Sequence, residues 1–192
     1  GGSLPVSAAT ALQAVRDHGQ VKSGERVLVI GASGGVGSYA VQIAKHFGAH
    51  VTALVSTKAI PKLKKLADDI VDYTKQDIVE SGLTFDVILD AAAYRPFEEY
   101  EPLLRENGRY ILIGGSGKQL FRIMAKGPFM KKTFKNFLSK TTTADLDFVL
   151  DLVQKGKVTP LLDKTFTLKE LPKAIEHLEQ RKAIGKSVVR IV

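Results

Sequence analysis

One stretch near the start of the chain constrains the fold more than any other. Residues 27–30 are an apolar run, residues 31–37 contain four glycines, and apolar side chains then recur at helical spacing up to Phe47. A strand–turn–helix unit of this kind lets the backbone approach a pyrophosphate closely, and the free N–H groups of the helix point at the phosphates. That context is what turns a glycine pattern into a dinucleotide-binding motif. No lysine follows the glycines, which excludes a GxxxxGK[ST] phosphate loop.

Strand and helix patterns alternate along most of the chain. Further strands are predicted at residues 51–55, 70–73, 85–89, 110–113 and 133–138. Helices are predicted at residues 8–16 (with Ser7 as the cap), 62–66 and 97–104, followed by a turn at 107–108. Such alternation indicates a parallel sheet. The sequence therefore predicts an α/β fold, a Rossmann-type doubly wound parallel sheet of about six strands, over residues 1–143.

The pattern changes after residue 143. A helical stripe at residues 146–153 ends at Gly156, residues 158–166 look extended, residues 171–178 are helical and residues 187–192 form a last strand. Residues 144–192 are therefore predicted to be a separate, short α+β segment.

The end of the second predicted strand bears on the choice of cofactor. An NAD-binding fold usually carries an acidic residue there, which holds the ribose 2′-OH. This chain instead has Ser56, Thr57 and Lys58, whose hydroxyls and ammonium suit a 2′-phosphate. Tyr73, after the third strand, could close over the same phosphate. The sequence therefore predicts NADP(H) rather than NAD(H), the alternative being that Lys58 is only a solvated loop residue.

Composition excludes several classes of protein. The chain has no cysteine, which rules out disulfides and cysteine-ligated zinc. Of its four histidines only His46 and His50 are close in sequence, so no metal site is predicted. No apolar run reaches the roughly 18 residues that a membrane span needs. The lack of cysteine fits a reducing compartment, the cytoplasm or an organelle interior.

The net charge of +8 is partly concentrated between Gly108 and Ala144, a stretch without Asp or Glu. A solvated basic face is the simplest interpretation. The alternatives are an electrostatic field that attracts an anionic cofactor, or a surface that binds acidic lipid or nucleic acid. Few aromatic residues interleave with these basic residues, so nucleic acid is not predicted as a partner.

Several motifs together resemble the medium-chain dehydrogenase/reductase superfamily, in its zinc-independent, quinone oxidoreductase-like branch. They span nearly the whole chain in the family's order. The matching segments are Leu4-Pro5-Val6, Thr10-Ala11-Leu12, residues 32–37, Ala40-Val41-Gln42, Val71-Asp72-Tyr73, residues 86–91, Gly156-Lys157-Val158 and residues 185–189.

The resemblance implies a set of cofactor-binding positions. The pyrophosphate would lie on the glycine turn, the 2′-phosphate near the ends of the second and third strands, and the ribose and nicotinamide near the ends of the fourth and fifth. Thr10 would lie near the nicotinamide, and Lys186 is a further candidate. The turn positions are Ser33, Gly34, Gly35 and Val36; the 2′-phosphate positions are Ser56, Thr57, Lys58 and Tyr73; the others are Ala91, Ala92, Gly114 and Gly115.

The resemblance also implies a reaction, in which the nicotinamide passes a hydride to a quinone, an enone or an aldehyde. Family members begin with a large β-rich lobe that is absent here and that forms one wall of the active-site cleft. The resemblance implies that residues 144–192, which pack against that lobe in the family, are the C-terminal segment of a partial catalytic domain. The proton donor would lie in that lobe or be water, so no catalytic residue is assigned. Smaller departures are a missing glycine before Ala67 and Ala93 in place of a frequent glycine. The family often pairs through a sheet edge, which makes a homodimer possible.

Two other classes of protein have to be weighed. The chain could be a non-catalytic module that binds a nucleotide or a partner protein. The spacing of Gly31, Gly35 and Gly37 also fits short-chain dehydrogenases, which need a tyrosine with a lysine four residues later. None of the five tyrosines has that lysine, which argues against this class.

Overall fold

The computed structural model describes residues 4–115, 117–126, 132–180 and 183–191. Six parallel strands form one sheet in the order β3-β2-β1-β4-β5-β6, and two more parallel strands form a small second sheet. The predicted doubly wound α/β fold is confirmed. The strands are β1 Arg26–Ile30, β2 His50–Val55, β3 Asp69–Asp72, β4 Phe85–Asp90, β5 Leu104–Ile113, β6 Thr133–Phe137, β7 Leu162–Thr167 and β8 Lys186–Arg190.

Helices cover both faces of the large sheet. They are α1 Pro5–Gln13, α2 Gly37–His46, α3 Ile60–Leu63, α4 Gly117–Lys126, α5 Thr143–Gln154 and α6 Leu171–Glu179. Strand β1 shows why its sequence is uniformly apolar: Val27 and Val29 join the core formed with α1, α2 and α5, whereas Leu28 and Ile30 join the core on the opposite face. The strand order reverses between β1 and β4, and ligands of such folds bind where the carboxyl ends diverge.

Two helix predictions need correction, and one helix was missed. Helix α1 begins at Pro5, which suits a first helical turn, and Ser7 does not cap it. The helix continues as a π-helix over Ala14–His18. The helix predicted at residues 62–66 is instead a 3-10 turn, Thr57–Ala59, followed by the short α3. Helix α4 was not predicted, although its buried Ile123 and half-buried Leu120 have the three-residue spacing that indicates a helix.

The turn predicted at residues 107–108 lies inside strand β5 as a bulge. Between the pairs Phe85–Leu104 and Val87–Arg109, β5 advances five residues while β4 advances two. Asn107 has a φ of 63°, which asparagine tolerates better than most residues. Arg109 closes the bulge through Glu25, both of whose carboxylate oxygens lie 2.7 Å from its Nη2. This member of the basic stretch is therefore structural.

The segment after residue 143 shares part of the main core. Helix α5 packs against α1, and Val149, Leu152 and Val158 belong to the same apolar cluster as β1. The division between residues 143 and 144 stays a prediction. Around the second sheet, by contrast, several large apolar side chains are exposed: Leu162, Leu168, Leu171, Ile175, Leu178 and Ile191. Over the described ranges, no helix has the length and apolarity that crossing a membrane requires.

Candidate dinucleotide-binding site

The turn between β1 and α2 lies at the point where the sheet order reverses. Gly31 has a φ of 74°, which favours glycine, and its carbonyl accepts a hydrogen bond from Gly34 N–H at 3.0 Å. Within the described part of the chain, nothing accepts a hydrogen bond from the N–H groups of Gly35 or Val36. These two donors and the positive end of α2 make a cradle that suits an anion.

A lysine from the far end of the chain reaches this cradle. Lys186 Nζ donates to Ser7 Oγ at 3.1 Å, across 179 residues of sequence. A Cβ atom placed on Gly35 would lie 2.7 Å from Lys186 Cδ and 3.5 Å from its Nζ. The adjacent Gly185 N–H donates to the carbonyl of Ser33 at 2.8 Å, which ties β8 to the turn. Five of the predicted site residues, Ser33, Gly34, Gly35, Val36 and Lys186, are thus brought together.

The predicted 2′-phosphate residues also gather, at the carboxyl ends of β2 and β3. Lys58 is exposed, and its ammonium has no partner among the residues that the structure describes. The Thr57 hydroxyl is committed: its Oγ1 donates to Asp72 Oδ2 at 2.5 Å and lies 2.9 Å from Thr74 Oγ1. Thr57 is therefore occupied within the protein, which leaves Ser56, Lys58 and Tyr73 as the groups that face outward.

An acidic residue, Asp72, does lie at this edge of the sheet, but at the end of the third strand rather than the second. It ends β3, and hydrogen bonds from Thr57 and then from Thr74 lower the pKa of its carboxyl. Thr74 donates through both its N–H, at 3.0 Å, and its hydroxyl, at 2.7 Å. Since its oxygens are occupied by these donors, Asp72 orders the rim of the site.

Thr57→Val is expected to raise the pKa of Asp72 toward its ordinary value. A carboxyl whose pKa is lowered in the folded state contributes stability above its unfolded pKa, and that contribution is lost as the pH falls. The variant should therefore lose less stability between neutral and acidic solution than the parent does. NMR titration of the Asp72 carboxyl carbon measures the shift, with the exposed Thr133 changed to valine as the control. An unchanged titration would show that the Thr57 bond is unimportant.

Two cavities flank the loop that follows β4. The first, of about 370 Å³, is lined mainly by apolar and aromatic side chains, among them Ile30, Leu54 and Tyr100. Tyr73 and Tyr94 stand at its mouth with ring centroids 6.2 Å apart. A slot of this kind suits a flat, largely apolar ring. Sequence reasoning missed Tyr94, whose only signal is an aromatic residue in a loop beside the strand-order reversal.

The second cavity, of about 530 Å³, lies on the β5 side of the same loop. Ala91, Ala92 and Gly115 line it, together with Lys118 and Arg122 of α4. Gly114 and Gly115 have φ values of 84° and 110°, which explains the glycines there. Ala91, Ala92, Gly114 and Gly115 therefore gather at the ends of β4 and β5 as predicted. Thr10, partly exposed on α1, lines neither of these two cavities.

The remaining ionisable candidates have structural partners. Asp69 pairs with His50 and Asp163 with His177, and no cluster of three His, Cys, Asp or Glu residues occurs over the described ranges. In the basic stretch, Arg122 pairs with Glu98 at 2.8 Å and Lys132 donates to the carbonyl of Glu101 at 2.7 Å. Three basic residues of the stretch, Arg109, Arg122 and Lys132, are therefore bound within the protein.

Comparison with known proteins agrees with this geometry. Residues 67–189 match the family model described as zinc-binding dehydrogenase. The chain is 35% identical over 198 residues to the chloroplast envelope quinone oxidoreductase homolog of Arabidopsis thaliana, covering 97% of this chain and 60% of that protein. It is 31% identical over 221 residues to the mitochondrial NAD(P)H oxidoreductase RTN4IP1 of Bos taurus, with coverage of 99% and 55%.

Solved structures show the same relationship. The quinone oxidoreductase from Coxiella burnetii superposes with a TM-score of 0.88 at 26% identity, over 99% of this chain and 60% of that one. The CurK enoyl reductase gives 0.83 at 26% identity, over 99% and 61%. The chain thus spans little more than half the length of these relatives. It belongs to the zinc-binding dehydrogenase family, which is part of the medium-chain dehydrogenase/reductase superfamily, and it is similar to the quinone oxidoreductase-like members of that superfamily.

Proposed function

We propose that this chain is the cofactor-binding part of an oxidoreductase that uses NADP(H). Its substrate class would be a quinone, an enone or an aldehyde, which accepts hydride from the nicotinamide. The observation that carries the proposal is the pair of N–H groups of Gly35 and Val36, which find no acceptor among the described residues, with Lys186 beside them at the strand-order reversal. The names of the quinone and NAD(P)H oxidoreductase relatives support the same activity.

The residues present fit a dinucleotide along the whole edge of the sheet. Gly35, Val36 and Lys186 would hold the pyrophosphate, and the first cavity has the lining that an adenine ring requires. The bound cofactor supplies hydride transfer; the protein contributes binding and orientation. The backbone of the loops after β4 and β5 would orient the nicotinamide end. The chain spans 55–60% of the length of the two relatives named above. The rest of the cleft would therefore come from residues that are not in this chain.

Preference for the phosphorylated cofactor rests on Lys58. Its exposed ammonium, in the turn after β2, has no partner among the described residues, and the half-buried Ser56 lies two residues before it. The carboxylate that ends β3, Asp72, already accepts hydrogen bonds from Thr57 and Thr74, so it is not positioned to select a ribose 2′-OH. This balance of charge favours a 2′-phosphate.

A titration of NADPH, NADP⁺ and NADH into the chain by calorimetry tests the proposal. We expect the phosphorylated forms to bind at least about tenfold more tightly than NADH. Lys58→Ala should weaken NADPH binding roughly tenfold, because a charge-assisted hydrogen bond contributes about 1.5–3 kcal/mol. Tyr73→Phe should reduce the same preference.

Lys64 provides the matched control, since it is an exposed lysine of the same crossover that faces no predicted ligand. Lys64→Ala should leave the preference unchanged. Equal affinity of the parent chain for NADH and NADPH would contradict the assignment of NADP(H). An equal effect of Lys58→Ala and Lys64→Ala would show that the preference comes from general attraction by positive charge and not from a contact of Lys58.

A non-catalytic, partner-binding module is the second candidate. The exposed apolar side chains around β7, α6 and β8 favour it. It predicts cofactor binding without oxidation of NADPH by any quinone or enone, which loss of absorbance of the reduced cofactor would measure. The proposal also includes a homodimer that forms through an edge of the large sheet. It places the protein in a reducing compartment, the cytoplasm or an organelle interior.

A further inference from the structure

A buried carboxylate lies directly beneath the loop that separates the two cavities. Asp90 ends β4, pairs in register with Ile30 of β1 and Leu112 of β5, and is fully buried. No cationic side chain of the described residues forms an ion pair with it. A buried acid without a counter-ion needs other partners, because burial alone would make its charged form costly.

Those partners are mostly the loop itself. Asp90 Oδ1 accepts from the N–H groups of Ala92, at 2.9 Å, and Ala93, at 2.8 Å. The other oxygen, Oδ2, accepts from the Tyr110 hydroxyl at 2.6 Å. Burial raises the pKa of the Asp90 carboxyl, and these three donors oppose that shift. One side chain therefore anchors two consecutive backbone N–H groups at the rim of the site.

The anchored loop has a conformation that its sequence does not favour. Ala93 has a φ of 53°, in the left-handed region that disfavours residues with a Cβ atom. The loop also lies tightly on the glycine turn: a Cβ on Gly31 would approach Ala92 Cβ to 2.8 Å. A strained backbone persists only where its surroundings hold it. Asp90 holds the N–H groups of this loop from below, and Gln119 Nε2 donates to the Ala93 carbonyl at 2.6 Å.

Loop position decides the shape of both cavities. Tyr94 and Arg95 line the first and the second alike, and Gly31 lies at the floor of the first. A loop that relaxed toward ordinary φ values at Ala93 would move this shared wall. We propose that Asp90 is a positioning residue for the cofactor: its carboxylate fixes residues 91–93 so that the dinucleotide crevice stays open. The proposal rests on the proposed NADP(H) function.

The test compares Asp90→Leu, which keeps the size but removes both acceptors, with Asp90→Asn, which keeps an acceptor for Ala92 and Ala93. We expect Asp90→Leu to weaken NADPH binding roughly 10- to 100-fold, because two partly buried N–H groups of the loop lose their acceptor. Asp90→Asn should stay within about threefold of the parent. Ala93→Gly, added to Asp90→Leu, should restore part of the affinity, because glycine adopts the left-handed conformation without strain.

Two further measurements keep the proposal falsifiable. If Asp90→Leu does not fold, Ala93→Val perturbs the same loop through its backbone: a β-branched residue resists a φ of 53°, so affinity should fall. Amide exchange of Ala92 and Ala93, followed by NMR without ligand, should speed up in Asp90→Leu and remain slow in Asp90→Asn.

The outcomes separate this inference from the proposed function. A parent chain that binds no nucleotide removes the proposed function, yet the exchange rates still decide whether Asp90 holds the loop. Parent-like affinity and protected amides in Asp90→Leu would overturn the inference. So would an Asp90→Asn variant that is as defective as Asp90→Leu.

Discussion

Replacing Gly37 with alanine is expected to lower the free energy of unfolding by about 3 kcal/mol, at the upper end of what overpacking a core costs. A Cβ atom at this position would lie 2.2 Å from the Gly31 carbonyl oxygen and 2.8 Å from Ala32 Cα. Both are backbone atoms at the end of β1, and Gly37 itself is buried at the start of α2. No side-chain rearrangement can relieve the contact, so the helix must move off the sheet.

Chemical denaturation followed by circular dichroism measures this effect. A loss of about 3 kcal/mol corresponds to a fall in melting temperature of roughly 6–12 °C for a chain of this size. Gly34→Ala is the matched control, since a Cβ there meets only the Gly31 carbonyl oxygen, at 3.3 Å, and the backbone has an ordinary φ. Equal stability of the parent and Gly37→Ala would show that the turn is looser than the structure has it.

The features that the sequence predicted correctly are those with local causes. The β1 strand, the glycine turn and α2 follow one another in a single segment, so apolar periodicity and the need for glycine were enough to place them. The order of the strands then put Ser56 and Tyr73 at the same edge of the sheet. Lys186 was expected at the cofactor only through family resemblance, because no local rule links β8 to the β1–α2 turn.

The features that were missed depend on contacts between distant segments. Asp72 and Thr57 are 15 residues apart, one at the end of β3 and the other in the turn after β2. Their hydrogen bond follows from the pairing of these neighbouring strands rather than from either local sequence. The β5 bulge, likewise, is set by the pairing of Arg109 with Glu25 across the sheet. Asp90 gave no signal in the sequence because a polar residue at a strand end is usually solvated. Only burial shows that its partners are the loop and Tyr110.

Gly35→Val is expected to have the opposite effect to Gly37→Ala: loss of cofactor affinity with the fold retained. The nearest atom to an added Cβ is Lys186 Cδ, at 2.7 Å, and that side chain is flexible enough to move. The φ of Gly35 is not in the left-handed region, so valine introduces little backbone strain. We expect the free energy of unfolding to change by about 1 kcal/mol or less.

The isopropyl group of the variant would, however, occupy the cradle formed by the Gly35 and Val36 N–H groups. Because the backbone must come close to the pyrophosphate at this turn, NADPH affinity should fall about 100-fold or more, equivalent to about 2.7 kcal/mol. Calorimetry measures the affinity, and thermal denaturation of the same samples shows that the fold is intact.

Lys186→Ala separates the two ways in which Gly35→Val could act. If valine blocked the cradle, the lysine variant would lose only part of the affinity, since the N–H groups of Gly35 and Val36 remain available to the phosphates. If valine acted by displacing Lys186, the lysine variant alone would reproduce the whole loss. Parent-like binding by Gly35→Val would place the pyrophosphate away from this turn. Neither Gly35 nor Gly37 would then serve the ligand, and the packing of α2 on β1 would be the reason for Gly37 alone.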